Sequence, residues 1–212
     1  MSRFEYYEKL KHQAREVREK HGLSTPRVTR RDMRHIYKQE GIAHVDLWPP
    51  AGSSPSRFRV LRGAYFNDEF GATVLLPRQL PIEPTIFSMA HELKHHLTDQ
   101  ESIGFCLSTQ QSEMREIGAE IFAAEFIFPE DDFRREMTNR GFDDGACTAE
   151  QLVRLKAETA TTLSYAALVK RAEWCKFSPK GALARTKWRQ VEQEVFGRPI
   201  HRPRRSVGRY RR

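Results

Sequence analysis

One five-residue pattern, His91-Glu92-Leu93-Lys94-His95, constrains the fold of this 212-residue chain more than any other feature. It lies where apolar residues recur at helical spacing. Residues four apart on a helix lie about 5 to 6 Å from each other on one face. His91 and His95 can therefore bind one ion, and the pattern predicts a Zn²⁺ site in which the adjacent Glu92 is the general base. The alternative is a pair of solvated histidines on a helix surface.

A third protein ligand must come from another segment, because a catalytic zinc site usually has three protein ligands and one open position. The next helical stretch contains two acidic residues four apart, Glu116 and Glu120, and the small residues Ala119 and Ala123. Small side chains allow a helix to approach its neighbour closely. The spacing alone leaves both carboxylates as candidates, and an ordinary charged helix face is the alternative to either role.

Local patterns predict a short sheet followed by a helical body. The expected helices cover about residues 4–17, 30–40, 84–98, 113–127, 130–139, 149–160, 165–175 and 182–196. A strand is expected at Ile42–Leu47, and the extended runs Phe58–Phe66 and Ala72–Leu76 flank a segment of turn composition, as in a hairpin. This order predicts an α+β fold: a small antiparallel sheet packed on a mainly helical body with a helical C-terminal extension.

The positive charge is concentrated at the two ends of the chain. The net charge is +8, and residues 197–212 contain seven Arg and no acidic residue. This Gly/Pro/Arg-rich tail has too few apolar groups to offset the entropy of ordering, so we expect it to be disordered. It either keeps the protein in solution or contacts nucleic acid weakly through its arginines.

Other features of the composition exclude whole classes of protein. No apolar run approaches the roughly 18 residues that a membrane helix needs, and the N-terminal residues lack the apolar core of a secretory signal. We therefore expect a cytoplasmic protein without membrane contact. Three cysteines at long spacings, Cys106, Cys147 and Cys175, suit neither a disulfide framework nor a thiolate zinc cage, so they are expected to be reduced packing residues.

Two segments taken together resemble the ImmA/IrrE family of zinc metallopeptidases. They are Phe87-Ser-Met-Ala-His-Glu-Leu-Lys-His95 and Glu116-Ile-Gly-Ala-Glu-Ile-Phe-Ala-Ala-Glu-Phe-Ile-Phe-Pro129. The resemblance covers roughly residues 5–175. It implies a zincin-like metallopeptidase domain over residues 1–145 and a helical subdomain over 146–196, ahead of the tail at 197–212.

The resemblance also implies roles for individual residues. His91, His95 and Glu116 match the family's zinc ligands, and Glu92 matches its catalytic carboxylate. Glu120 stands where the family usually has Asn, and the wider gluzincin pattern suggests that it orients a zinc-bound histidine. Lys94 replaces a small residue, so its side chain is expected to extend out of the cleft.

The strand before the active helix binds substrate as an added strand in zincins. Here that place belongs to Ala72, Thr73, Val74, Leu75 and Leu76. An oxyanion-stabilising group is also expected, with Tyr65, His44 and Tyr37 as unassigned candidates. His96 is expected to bond a carbonyl group or water rather than the metal.

The function implied is a zinc endopeptidase that cleaves a protein, often a helix-turn-helix transcriptional repressor of phage, mobile-element or stress control. The alternative is a catalytically weak regulatory or toxin-like binding protein that keeps the zincin fold and contacts a partner or nucleic acid. Residues 149–175 have the spacing of two helices around a short turn. They either pack on the core or form a helix-turn-helix-like unit.

Overall fold

A computed structural model describes residues 2–48, 63–78, 80–99, 109–142 and 145–199. Two helices open the chain, α1 (Arg3–Lys20) and α2 (Arg30–Gln39). The start of α2 is a capping box: the Asp32 N–H donates to the Thr29 hydroxyl, and the Thr29 N–H donates to the Asp32 carboxylate. This reciprocal pairing satisfies two of the four free N–H groups at a helix start, so the predicted beginning of α2 is confirmed.

Within the described residues, three strands form one mixed sheet: β1 (Ile42–Trp48), β2 (Ala64–Asp68) and β3 (Gly71–Pro77). Their order is β1-β3-β2, with β1 parallel and β2 antiparallel to β3. The α+β class and the β2–β3 hairpin are confirmed, but the sheet is mixed rather than purely antiparallel. The difference arises because β3 inserts between two strands that precede it in the chain.

The central position of β3 overturns the predicted substrate strand at Ala72–Leu76. Ala72, Val74 and Leu76 are buried, whereas Thr73 and Leu75 are partly exposed. Backbone pairing with β1 on one side and β2 on the other occupies both edges of this strand. A substrate cannot add to a strand that has no free edge, so the prediction for Ala72, Thr73, Val74, Leu75 and Leu76 is wrong.

Six helices follow the sheet in the described part of the chain. They are α3 (Ile82–Thr98), α4 (Thr109–Ile127), α5 (Glu130–Asn139), α6 (Ala149–Thr159), α7 (Tyr165–Trp174) and α8 (Trp188–Phe196). The first five agree with prediction within a few residues. The last helix begins at Trp188 and not at 182, because residues 181–186 form successive turns closed by i to i+3 backbone hydrogen bonds.

Helix α4 lies at the centre of the packing. It contacts α1 and α3, and α3 in turn contacts α2 and β3. A core cluster of buried residues extends from Ala14 in α1 to Phe177 beyond α7. Within the described residues, no helix is both long enough and apolar enough to cross a membrane. The layers place α3, which carries the HExxH pattern, between the sheet and α4.

The helices α6 and α7 pack into the same core. Leu152 and Leu155 of α6, Leu163 between the two helices and Leu168 of α7 are fully buried and belong to the core cluster. Packing accounts for their spacing, and a nucleic-acid role for this pair stays a prediction, as does the domain boundary after residue 145. Residues 200–212 of the basic tail, residues 49–62 and Cys106 lie outside the described residues.

The two described cysteines behave as packing residues. Cys147 and Cys175 are buried and not disulfide-bonded. Burial raises the pKa of each thiol to about 11, so both remain protonated at neutral pH.

Candidate metal centre

Two helices bring the predicted ligands together. His91 and His95 face the same side of α3, with ring centroids 5.0 Å apart. Glu116 reaches them from α4, and its carboxylate oxygens lie 3.2 Å from His91 Nε2 and 3.6 Å from His95 Nε2. The two Nε2 atoms are 3.3 Å apart. One atom from each of three residues therefore converges on a common point.

These spacings fit a tetrahedral ion. Bonds of about 2.0 to 2.2 Å to a zinc ion place neighbouring tetrahedral ligands about 3.3 to 3.6 Å apart, close to the separations of 3.2, 3.3 and 3.6 Å found here. The hydrogen bond with His91 lowers the pKa of Glu116, so this carboxylate is ionised, as a ligand must be. Its side chain is 61% exposed, which leaves an open side where a fourth ligand can enter. The donor set therefore fits zinc.

Glu92 is the buried carboxyl group beside this cluster. It is 5% exposed, and desolvation raises its pKa although the neighbouring His91 and His95 oppose the shift. The backbone of Gly63, just before β2, passes against it. A β-carbon added at Gly63 would overlap Glu92 Oε1 and lie 3.2 Å from Glu92 Cδ. A side chain at this position would therefore require the Glu92 carboxylate to move.

An unpredicted residue, Asp99, orients one of the histidines. Its Oδ2 atom accepts a hydrogen bond from His95 Nδ1 at 2.7 Å. With the proton on Nδ1, the Nε2 lone pair of His95 is free to bind a metal. Burial raises the pKa of Asp99, but hydrogen bonds from His95 and Lys94 outweigh it and lower the pKa to about 2. The i, i+4 spacing from His95 to Asp99 was the available sequence signal.

Lys94 does not extend into solvent as expected. Its side chain is fully buried, and the ammonium group donates to the same Asp99 Oδ2 atom at 2.7 Å. The prediction for Lys94 is wrong because a carboxylate within reach makes an interior position favourable for the cation, whereas an unpaired ammonium would have to reach water.

Glu120 lies away from the site. Its side chain is half exposed, and its carboxylate lies 3.8 Å from Lys170 Nζ on α7. The carboxylates that contact the site's histidines in the described residues are those of Glu116 and Asp99. No hydrogen bond in the described residues supports the orienting role expected of Glu120, which stays a prediction; its ion-pair partner is Lys170.

The remaining polar candidates have other partners. His96 Nε2 bonds the Glu40 carbonyl at 2.7 Å, and its Nδ1 lies 3.0 Å from the Tyr65 hydroxyl. The carbonyl partner predicted for His96 is confirmed. The buried Tyr37 hydroxyl donates to the Met89 carbonyl at 2.6 Å, so it is not available as an oxyanion donor. The side chain of His44 lies outside the described residues.

Comparison with known families agrees with this geometry. The model of the IrrE N-terminal-like domain (Peptidase_M78) matches residues 53–173, more than half of the chain. The chain belongs to the ImmA/IrrE metallopeptidase family. The match spans both ligand-bearing helices, and membership in this family implies a metallopeptidase. A search of curated proteins found no match.

Proposed function

We propose that the protein is a zinc-dependent endopeptidase that hydrolyses a peptide bond in a protein substrate. The observation that supports this most directly is the convergence of His91, His95 and Glu116 at distances of 3.2 to 3.6 Å, with Glu92 beside them. His91, His95 and Glu116 would hold the ion. When bound, zinc supplies Lewis-acid chemistry: it activates water near neutral pH and polarises a carbonyl group.

The chain itself would move the proton. Glu92 accepts a proton from the attacking water and then donates it to the nitrogen of the leaving amine. Its burial next to Gly63 limits its motion and excludes bulk water. Asp99 holds His95 in the tautomer that the site needs.

The sheet offers a different edge for substrate than the one predicted. In the described part of the chain, β2 pairs with β3 alone, and its outer edge is the place we propose for an added substrate strand. Gly63, which lies against the Glu92 carboxylate, immediately precedes β2 in the chain. Phe66 on this strand is half exposed. A substrate segment paired with β2 would run past Glu92 and place apolar side chains near Phe66.

The proposed substrate is a helix-turn-helix transcriptional repressor, as the resemblance of the two motif segments implies. The test incubates purified protein, loaded with zinc, with repressors encoded next to its gene, with and without a chelator. Cleavage that requires zinc supports the proposal. A zinc-loaded protein that binds such a repressor without cutting it would favour a regulatory binding protein instead.

The role of Glu92 has its own test. We expect Glu92→Gln to keep the zinc affinity but to lower kcat by at least about 100-fold, because proton transfer by a positioned group contributes roughly 10² to 10⁴. Glu113→Gln, at an exposed position on α4, is the control and should cleave normally. Steady-state cleavage assays measure both, and normal activity in Glu92→Gln would refute the role.

A further inference from the structure

The ammonium group of Lys94 is enclosed by three different segments. It donates to Asp99 Oδ2 at 2.7 Å at the end of α3, and to the Arg115 carbonyl at 3.5 Å on α4. The ring of Tyr6 on α1 lies with its centroid 6.0 Å from the same nitrogen. The side chain is 0% exposed. The Lys94 ammonium group therefore lies inside the protein and shares its partner Asp99 with the proposed ligand His95.

Asp99 is held by two donors on one carboxylate oxygen. Oδ2 accepts from Lys94 Nζ and from His95 Nδ1, each at 2.7 Å, whereas the Thr98 hydroxyl, 3.2 Å from Oδ1, donates to the nearer Lys94 carbonyl at 2.9 Å. Two short hydrogen bonds limit the rotation of the carboxylate. Its orientation then determines the plane of the His95 ring, since the Nδ1–H bond is directional.

Lys94 also connects the two helices that carry the ligands. Its partner Arg115 immediately precedes Glu116 in the chain, while its partner Asp99 contacts His95. The Lys94 ammonium group thus links the backbone next to Glu116 to the Asp99 carboxylate, which accepts a hydrogen bond from His95. Removing either charge would leave the other buried without its main partner, which is unfavourable.

We infer that Lys94 and Asp99 act as a pair of positioning residues for the metal centre. Asp99 orients the His95 imidazole, and Lys94 holds Asp99 in place. This inference rests on the proposed function, since it concerns the same ligands. It assigns a role to a lysine that stands where a small residue is usual in the resembling motif.

The test measures zinc affinity by competition with a chromogenic chelator. We expect Asp99→Asn to weaken zinc binding by about 10- to 100-fold, the usual effect of losing a group that orients a ligand, and Lys94→Met to weaken it by about 10-fold. The double variant should bind no more weakly than Asp99→Asn, because Lys94 acts through Asp99. Lys170→Met, which removes an exposed lysine paired with Glu120, should leave the affinity unchanged.

Cobalt substitution adds a spectroscopic readout. If Asp99 orients His95, the visible absorption of the Co²⁺-loaded protein should change in Asp99→Asn and not in Lys170→Met. The double variant leaves no unpaired buried ammonium, so it remains informative if Asp99→Asn fails to fold. Wild-type zinc affinity and an unchanged cobalt spectrum in any folded variant lacking Asp99 would overturn the inference. A wild-type chain that binds no zinc would overturn the proposed function itself, and the inference with it.

Discussion

At the scale of single residues, Gly63 and Glu92 show how closely the backbone approaches the site. Glu92 is buried on α3, and the chain enters β2 directly against its carboxylate. No pattern around Gly63 indicates this contact, because the two residues are 29 positions apart in sequence. The glycine allows a proposed general base and a proposed substrate edge to be neighbours.

We expect Gly63→Ala to impair catalysis without removing the metal. The added methyl group overlaps Glu92 Oε1, so the carboxylate must shift, and a displacement of about 1 Å from the productive geometry can cost roughly 100-fold in rate. Zinc affinity should stay near the wild-type value, because the ligands are not displaced. Cleavage assays and chelator competition on the same preparation measure the two effects. Full activity in this variant would show that Glu92 does not need its observed position.

At the scale of elements, the end of α6 contains local strain. Helix α6 begins at a capping box formed by Thr148 and Gln151 and is followed by Ala160 as its C-cap, whose φ of 51° lies in the left-handed region. Glycine is usual at such helix ends, because a β-carbon is unfavourable there. Lys156 then donates to the Thr161 carbonyl at 3.1 Å, which fixes the turn toward α7.

Ala160→Gly should therefore stabilise the protein by about 1 kcal/mol, the approximate cost of a left-handed conformation for a residue with a β-carbon. Ala157→Gly, within the same helix, is the matched control. It should destabilise the protein by roughly 1 kcal/mol through lost helix propensity. Urea unfolding should show a higher free energy of unfolding for Ala160→Gly and a lower one for Ala157→Gly. Equal losses of stability in both variants would contradict this explanation.

At the scale of the whole molecule, buried ion pairs connect the N-terminal helix to the C-terminal half. Glu125 on α4 is fully buried and bonds Arg15 of α1 and Arg171 of α7, each at 2.8 Å. Glu130 at the start of α5 accepts from Lys11 of α1 at 3.0 Å and from Trp174 of α7 at 3.1 Å. These carboxylates join α1 and α7 to α4 and α5.

The free energy of unfolding should fall in acid because of Glu130. Burial raises the pKa of this carboxyl, but hydrogen bonds from Lys11 and Arg134 outweigh it and lower the pKa to about 2. A carboxyl whose pKa is depressed on folding contributes stability above its ordinary pKa and loses it as the pH falls from about 4.5 toward 2. In Glu130→Gln, the fall in the free energy of unfolding that Glu130 causes between its ordinary and its lowered pKa should disappear.

Urea unfolding between about pH 2 and pH 6 measures that slope. The control is Glu150→Gln, which breaks an exposed pair with Arg154 on α6 and should change stability by less than about 1 kcal/mol. A Glu130→Gln variant with the wild-type acid slope would contradict the argument.

What the sequence determined by itself was local. The starts of α2 and α6 follow from capping residues three positions apart, and the pairing of His91 with His95 follows from the helical repeat. These features depend on a few neighbouring residues, whose geometry is the same in any helix. Resemblance to a family added Glu116, which spacing alone could not separate from Glu120.

The tertiary structure alone decided which distant groups meet. It placed β3 between its two neighbours, turned Glu120 toward Lys170, buried Lys94 against Asp99 and brought Gly63 onto Glu92. Strand order and helix rotation depend on how all the apolar faces are buried together, and no single segment carries that information. A buried charge likewise becomes favourable only when its partner is close, and packing between elements sets that distance.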